Sequence, residues 1–159
     1  MQSFSKTQSG FFLVEVVVAT ALVATIIIFM LGLVQDIVKV SQASLERTQA
    51  SYLLEEGEEA VKTIRDDAWT NISSINNGVN QYLAWNGTKW TFSSTDSPIG
   101  QFSRVVVFDS VYRDANDDIT TSGGTVDTRT RKITVTVSWN TTTGTKTESL
   151  VFYIADIRT

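Results

Sequence analysis

The sequence predicts an α+β fold in which one long N-terminal α-helix packs on a C-terminal antiparallel β-sheet. Apolar residues are concentrated between positions 11 and 34, and an apolar stripe with helical spacing continues beyond them. From about position 72 onwards, apolar and polar residues alternate in short runs separated by Asn, Gly and Ser, which is typical of strands and turns. With 159 residues, the chain is long enough for one modest globular domain.

The composition excludes several functional classes. A net charge of −4 argues against nucleic acid as a partner, because phosphate binding needs clustered Lys and Arg. The chain has no Cys and no His, which removes disulfides, thiolate nucleophiles, His-based triads and nearly all zinc sites. We therefore expect a protein that is not an enzyme and carries no cofactor, apart from the calcium candidate considered below.

Residues 11–34 have the length and hydropathy of a membrane-spanning helix. These 24 residues would extend about 36 Å as a helix, and a bilayer core is about 30 Å thick. The short polar segment before them contains Lys6, which favours a cytoplasmic N-terminus with the rest of the chain outside. On these features alone, the chain is a single-pass membrane protein.

Glu15 is the one formal charge in this span. A charged side chain costs about 2.5–3.5 kcal/mol at the centre of a membrane helix and marks a functional site by default. A cut between Gly10 and Phe11 would create a positive α-amino group four residues before Glu15, on the same helix face. The amine and the carboxylate could then pair within one chain or between neighbouring copies.

The segment GFFLVEVVVATALVA, which begins at Gly10, resembles the N-terminal cleavage and methylation motif of type IV prepilins. The resemblance implies that residues 1–10 are a leader, that Gly10 precedes the cut, that Phe11 is the N-methylated new terminus and that Glu15 directs assembly. It also implies these partners: a prepilin peptidase, other pilin subunits through helix packing, inner-membrane assembly machinery, and lipid before assembly. The expected location is the inner membrane first and the pilus or cell surface afterwards.

The chain departs from the usual motif at several positions. Phe12 replaces a commoner small residue, Gly32 stands near the place where many major pilins have proline, and the C-terminal cysteine pair is missing. These departures leave major pilin versus minor pilin undecided, and a minor pilin is the preferred interpretation. A pseudopilin of a type II secretion or DNA-uptake machine remains an alternative. Outside the class, the alternative is an uncleaved, membrane-anchored extracytoplasmic binding module.

Beyond residues 11–35, which would form the membrane and filament-core helix, residues 36–68 are predicted to continue the helix into the head. Val38, Leu45 and Tyr52 recur every seven residues, and a second stripe is predicted to cover the sheet. Its members are Leu53, Gly57, Ala60, Val61, Ile64 and Ala68. The acidic cluster EEGEE, residues 55–59, is predicted to be a solvated surface, with a Glu58–Lys62 ion pair one turn apart.

Residues 69–159 are predicted to form the β-rich head. Asn86-Gly87 is predicted to be a two-residue hairpin turn that sets Leu83 opposite Trp90. Three longer strands are predicted at 102–113, 131–139 and 148–158, with surface loops around 93–100, 114–127 and 140–146. Four tryptophans are predicted to anchor the core. They are Trp69, Trp85, Trp90 and Trp139.

The segment DANDD offers a weak calcium candidate. Asp114, Asn116 and Asp118 have the alternating spacing of oxygen ligands, and Asp127 could join them. The glycine and the terminal glutamate of an EF-hand are missing, so a plain acidic turn is the favoured interpretation. No other metal ligand set is predicted.

Overall fold

A computed structural model describes the backbone of residues 9–121 and 123–157 and the side chains of residues 12–121 and 123–157. Two helices and six strands occur within these ranges. They are α1 (Ser9–Asp67), α2 (Thr70–Ser73), β1 (Gln81–Trp85), β2 (Trp90–Ser93), β3 (Phe102–Arg113), β4 (Ile119–Thr120), β5 (Thr125–Thr141) and β6 (Gly144–Ala155). The predicted α+β class, with a long N-terminal helix on an antiparallel sheet, is confirmed.

The chain forms two compact units that divide within α1, residues 1–45 and residues 46–159. We call the second unit the head. Its sheet has the order β2-β1-β3-β5-β6, with β4 paired to β3, and every pairing is antiparallel. Strand β3 is the central strand and pairs with β1, β4 and β5, while β5 pairs with β3 and with the edge strand β6 along twelve positions each.

One face of the sheet and the second half of α1 form the core of the head. The alternation predicted for the strands beyond position 72 is present in β5, because Ile133, Val135 and Val137 are fully buried while the threonines between them are only half-buried. Each such side chain contributes about 1.5–3 kcal/mol when it leaves water. From α1, the predicted stripe contributes to the same core. Its members Gly57, Ala60, Val61 and Ile64 are buried, whereas Leu53 and Ala68 are half-buried, and Leu54, which was not predicted, is buried as well.

Gly57 lies where α1 comes close to the side chains of the sheet. A Cβ atom built at this position would lie 2.9 Å from Cγ1 of Val135 and 3.3 Å from Cδ of Arg104. A glycine inside a helix costs about 1 kcal/mol relative to alanine. Its presence here allows the helix backbone to lie directly on β5.

The hairpin register differs from the prediction. Strands β1 and β2 pair Leu83 with Phe92 and Trp85 with Trp90, so Leu83 is not opposite Trp90. The turn contains four residues because the side-chain oxygen of Asn86 accepts bonds from the backbone N–H groups of Thr88 and Lys89. This capping by Asn86 favours a longer turn than the two-residue Asn-Gly type.

Three other predictions about the head need correction. Trp85 is 56% exposed at the end of β1, where it packs edge-on against Trp90, so it does not anchor the core. The predicted loop at 140–146 is almost entirely strand, since only Thr142 and Thr143 separate β5 from β6. The predicted loop at 114–127 contains β4 and the start of β5.

Candidate functional site

The first candidate site is the apolar part of α1. The part of the chain that the structure describes contains one helix long and apolar enough to cross a membrane, with a mean hydropathy of 2.8 in its most apolar window. Within residues 12–34 of this helix, the large apolar side chains are all exposed, from 46% at Val16 to 70% at Phe12. Such an N-terminal helix fits a membrane anchor.

Both hydroxyl groups of this segment are satisfied within the helix. Thr20 donates to the carbonyl oxygen of Val17 at 3.0 Å, and Thr25 donates to that of Ala21 at 2.8 Å. An unpaired hydroxyl in hydrocarbon is costly, and this local pairing removes that cost. The segment therefore exposes apolar surface in nearly every direction, with Glu15 as its exception.

Glu15 lies on the exposed surface of α1 among apolar neighbours. The side chains around it are Val14, Val18, Ala19 and Leu22. None of the described basic side chains forms an ion pair with Glu15. The predicted cut site is at the start of α1, which includes Gly10 and Phe11 in its backbone, but the Phe11 side chain and residues 1–8 lie outside the described part.

Asp114, one of the predicted calcium candidates, uses a carboxylate oxygen within the loop. Oδ1 of Asp114 accepts bonds from the backbone N–H groups of Asn116 and Asp118 at 2.8 and 3.0 Å. Among the described residues, no group of three or more acidic, His or Cys side chains could hold a metal ion. The loop geometry is that of an Asx turn.

Asp127 lies beside an arginine. Nε of Arg113 donates to Oδ2 of Asp127 at 2.7 Å, and the backbone N–H of Arg129 donates to Oδ1 at 2.8 Å. Hydrogen bonds from Thr130 and Arg113 lower the pKa of the Asp127 carboxyl to about 2. The carboxylate thus stabilises the irregular segment of β5 between Asp127 and Arg131, where the pairing with β3 shifts register.

Two arginines lie on the core face of the sheet, and the sequence reading did not identify them. Nη1 of Arg104 donates to Oε2 of Glu56 at 2.7 Å and to the carbonyl oxygen of Leu53 at 3.0 Å. The guanidinium of Arg104 also lies 5.5 Å from the ring centre of Trp90. Glu56, within the cluster predicted to be solvated, therefore anchors α1 to β3 as well.

Arg131 makes a different set of contacts. Its guanidinium donates to the carbonyl oxygens of Ser73 and Ile75 and to the side-chain oxygen of Asn77, at 2.9–3.2 Å. Burial lowers its pKa from the ordinary value, while Asp109 opposes that change. These bonds attach the segment after α2 to the sheet, so the role of Arg131 is structural.

The heptad residues of α1 are exposed. Val38 is 49% exposed, Leu45 58% and Tyr52 66%, so they do not belong to the core that Leu54 and Ala60 form.

Comparison of the chain with models of known protein families, with curated proteins and with solved structures finds no match in any of the three.

Proposed function

We propose that the chain is a type IV pilin-like structural subunit, in its minor form, which is inserted as a single-pass precursor, cut after Gly10 and assembled through its apolar helix. The single observation that carries the proposal is Glu15, one carboxylate within an exposed apolar helix surface that contains the cleavage-type motif. The wholly exposed apolar surface around it supports the proposal, because such a surface requires lipid or other helices as its surroundings.

The role of Glu15 follows from the cost of its charge. A buried charge without a partner costs several kcal/mol, and a close opposite charge recovers much of that cost. Cleavage at Gly10 would place the amine of Phe11 one helical turn away from Glu15. An incoming subunit whose Glu15 meets the Phe11 amine of an assembled subunit is then stabilised, and one in the wrong register is not.

The N-terminus after processing tests the proposal. The full chain is co-expressed with a prepilin peptidase, and its intact mass is measured from membranes. We expect a chain that begins at N-methylated Phe11, and we expect Gly10→Val to remain uncut. Gly32→Val is the matched control, since a Cβ at Gly32 would meet nothing within 4 Å, and it should be cut like the natural sequence. A natural chain that keeps Met1 would contradict the proposal and favour an uncleaved, membrane-anchored binding module.

Assembly tests the role of Glu15 separately. Glu15→Gln removes the charge at nearly constant size, so membrane insertion should persist while entry into filaments is lost. Asp36→Asn removes another exposed α1 carboxylate and should leave assembly intact. Normal assembly of Glu15→Gln would show that Glu15 has a different role. Long surface filaments would separate a pilin from a pseudopilin, which forms a short periplasmic assembly.

A further inference from the structure

The head contains an open groove of about 760 Å³ between α1 and the turn before β3. Phe102 and Leu53 contribute buried or half-buried surface to it, while Tyr52 and Ile99 are 66% and 41% exposed. The turn is held by two reciprocal backbone bonds between Ile99 and Phe102, at 2.8 and 3.1 Å. The groove therefore has an apolar interior, and backbone hydrogen bonds fix the turn on one side of it.

The rim of the groove carries polar and acidic groups. Gln49, Gln101 and Glu56 line it, and no basic side chain does so within the described part of the chain. Glu56 is 47% exposed even though it binds Arg104, and Glu55 next to it is exposed as well. An apolar groove with this rim suits a ligand that combines aliphatic side chains with a positive charge.

Residues 37–40 of the same chain have that combination. Ile37 and Val40 are 67% and 70% exposed, and the Lys39 side chain between them is 73% exposed. Lys39 forms an exposed ion pair with Asp36 at 3.3 Å, and a pair of this kind contributes little to stability. Lys39 can therefore exchange this contact for another carboxylate at small cost.

We infer that the groove of one copy receives residues 37–40 of a second copy, with Ile37 and Val40 entering it and Lys39 facing Glu55 and Glu56. The inference rests on the proposed function, which brings copies side by side. The groove and the inserted segment are different surfaces, so the contact is heterologous. Each copy can fill its groove from one neighbour and offer its segment to another, and the contact therefore extends an assembly instead of closing a dimer.

Cross-linking tests the inference cleanly because the chain has no natural cysteine. The full chain with Val40→Cys and Ile99→Cys is co-expressed with the peptidase and the assembly machinery, and membranes and filaments are oxidised. We expect a ladder of dimers, trimers and larger species. Either single variant should give dimers at most. The matched control pairs Val40→Cys with Thr147→Cys, an exposed position on the face of the sheet away from α1, and should give no ladder.

Absence of the ladder overturns the inference, as does an equal ladder from the control pair. Bands that contain a different protein in place of the ladder would assign the groove to another partner and also overturn it. The N-terminus is read from the same samples. A chain cut at Phe11 and assembled, but without the ladder, contradicts the groove contact alone, whereas a chain that keeps Met1 contradicts the proposed function too.

The charge component has its own measurement. Lys39→Glu should lower the yield of the ladder about two- to fivefold, the effect expected for an exposed ion pair, and Lys39→Arg should preserve it. High salt should lower the yield for the natural charge and have less effect on Lys39→Glu. An unchanged yield for Lys39→Glu would contradict the charge complementarity on which the choice of occupant depends.

Discussion

Replacement of Gly57 by alanine tests how closely α1 approaches the sheet. The added Cβ would lie 2.9 Å from Cγ1 of Val135, while ordinary contacts begin at 3.4 Å, so the helix and β5 must separate locally by about 0.5 Å. Val135 is fully buried and β-branched, and its methyl group cannot turn away freely. The separation would loosen contacts around Val61 and Leu54 as well.

Two opposing terms set the size of the effect of Gly57→Ala on the free energy of unfolding. Overpacking a core costs about 1–3 kcal/mol. Replacing a helical glycine by alanine returns about 1 kcal/mol of helix propensity. We therefore expect Gly57→Ala to lower the free energy of unfolding by about 1 kcal/mol, which corresponds to a decrease of about 4 °C in Tm for a head of this size.

Thermal unfolding of the full chain in detergent, followed by near-UV circular dichroism, measures the effect. Val135→Ala provides the partner background, because it removes the methyl group that Cβ would meet. In that background Gly57→Ala should cost less, or should even stabilise, and the two changes are expected to be coupled. If Gly57→Ala raised Tm equally in both backgrounds, helix propensity would dominate and the close approach would have no energetic consequence.

The other predictions concern the head and use the same assay. Asp127 has a lower pKa in the folded chain than its ordinary 3.8, so it stabilises the fold above about pH 4, and this stability is lost as the pH falls towards 2. Asp127→Asn should flatten that part of the stability–pH curve, and an unchanged curve would contradict this role of Asp127. Glu56→Gln should lower the free energy of unfolding by about 1–3 kcal/mol, because the Arg104 guanidinium loses its counter-charge. Glu56→Gln combined with Arg104→Met should cost less than the sum of the two single changes, and additive losses would refute the coupling. Asn86→Ala should cost about 1 kcal/mol because two backbone N–H groups in the turn lose their acceptor, whereas Asn86→Asp should retain most of the stability; equal losses would show that the side-chain oxygen is unimportant.

Patterns of period 3.6 and period 2 were sufficient to predict the main elements. The apolar alternation of Ile133, Val135 and Val137 predicted the buried face of β5, and the stripe through Ala60 and Ile64 predicted the side of α1 that covers it. These predictions succeeded because burial on one face imposes a period that a sequence displays directly. The Glu58–Lys62 pair, at 2.9 Å, succeeded for the same reason of local spacing.

Register and turn length depended on hydrogen bonds that composition does not reveal. Asn86-Gly87 suggested a two-residue turn, but the bonds that Asn86 accepts produce a longer one and move Trp90 opposite Trp85. The heptad residues Val38 and Tyr52 are exposed, because the helix presents the neighbouring stripe to the sheet.

The buried arginines could have been found from strand parity. Phe102, Arg104, Val106 and Phe108 alternate along β3, so a strand assignment places Arg104 on the core face and requires a partner for it. The identity of that partner could not be predicted, because Glu56 is 48 positions away and its neighbours Glu55 and Glu58 were equal candidates. The candidate site at Glu15, in contrast, was visible because its charge interrupts an apolar run.

Glu56 and Glu15 pose the same physical problem on one helix. Each is a carboxylate beside apolar surface, and each needs a positive partner if its surroundings exclude water. For Glu56 the fold itself supplies Arg104, a buried side chain from β3. For Glu15 none of the described basic side chains does so. Under the proposed function its partner is made by cleavage, and the carboxylate then favours contact with another copy, whereas Glu56 favours contact within the chain.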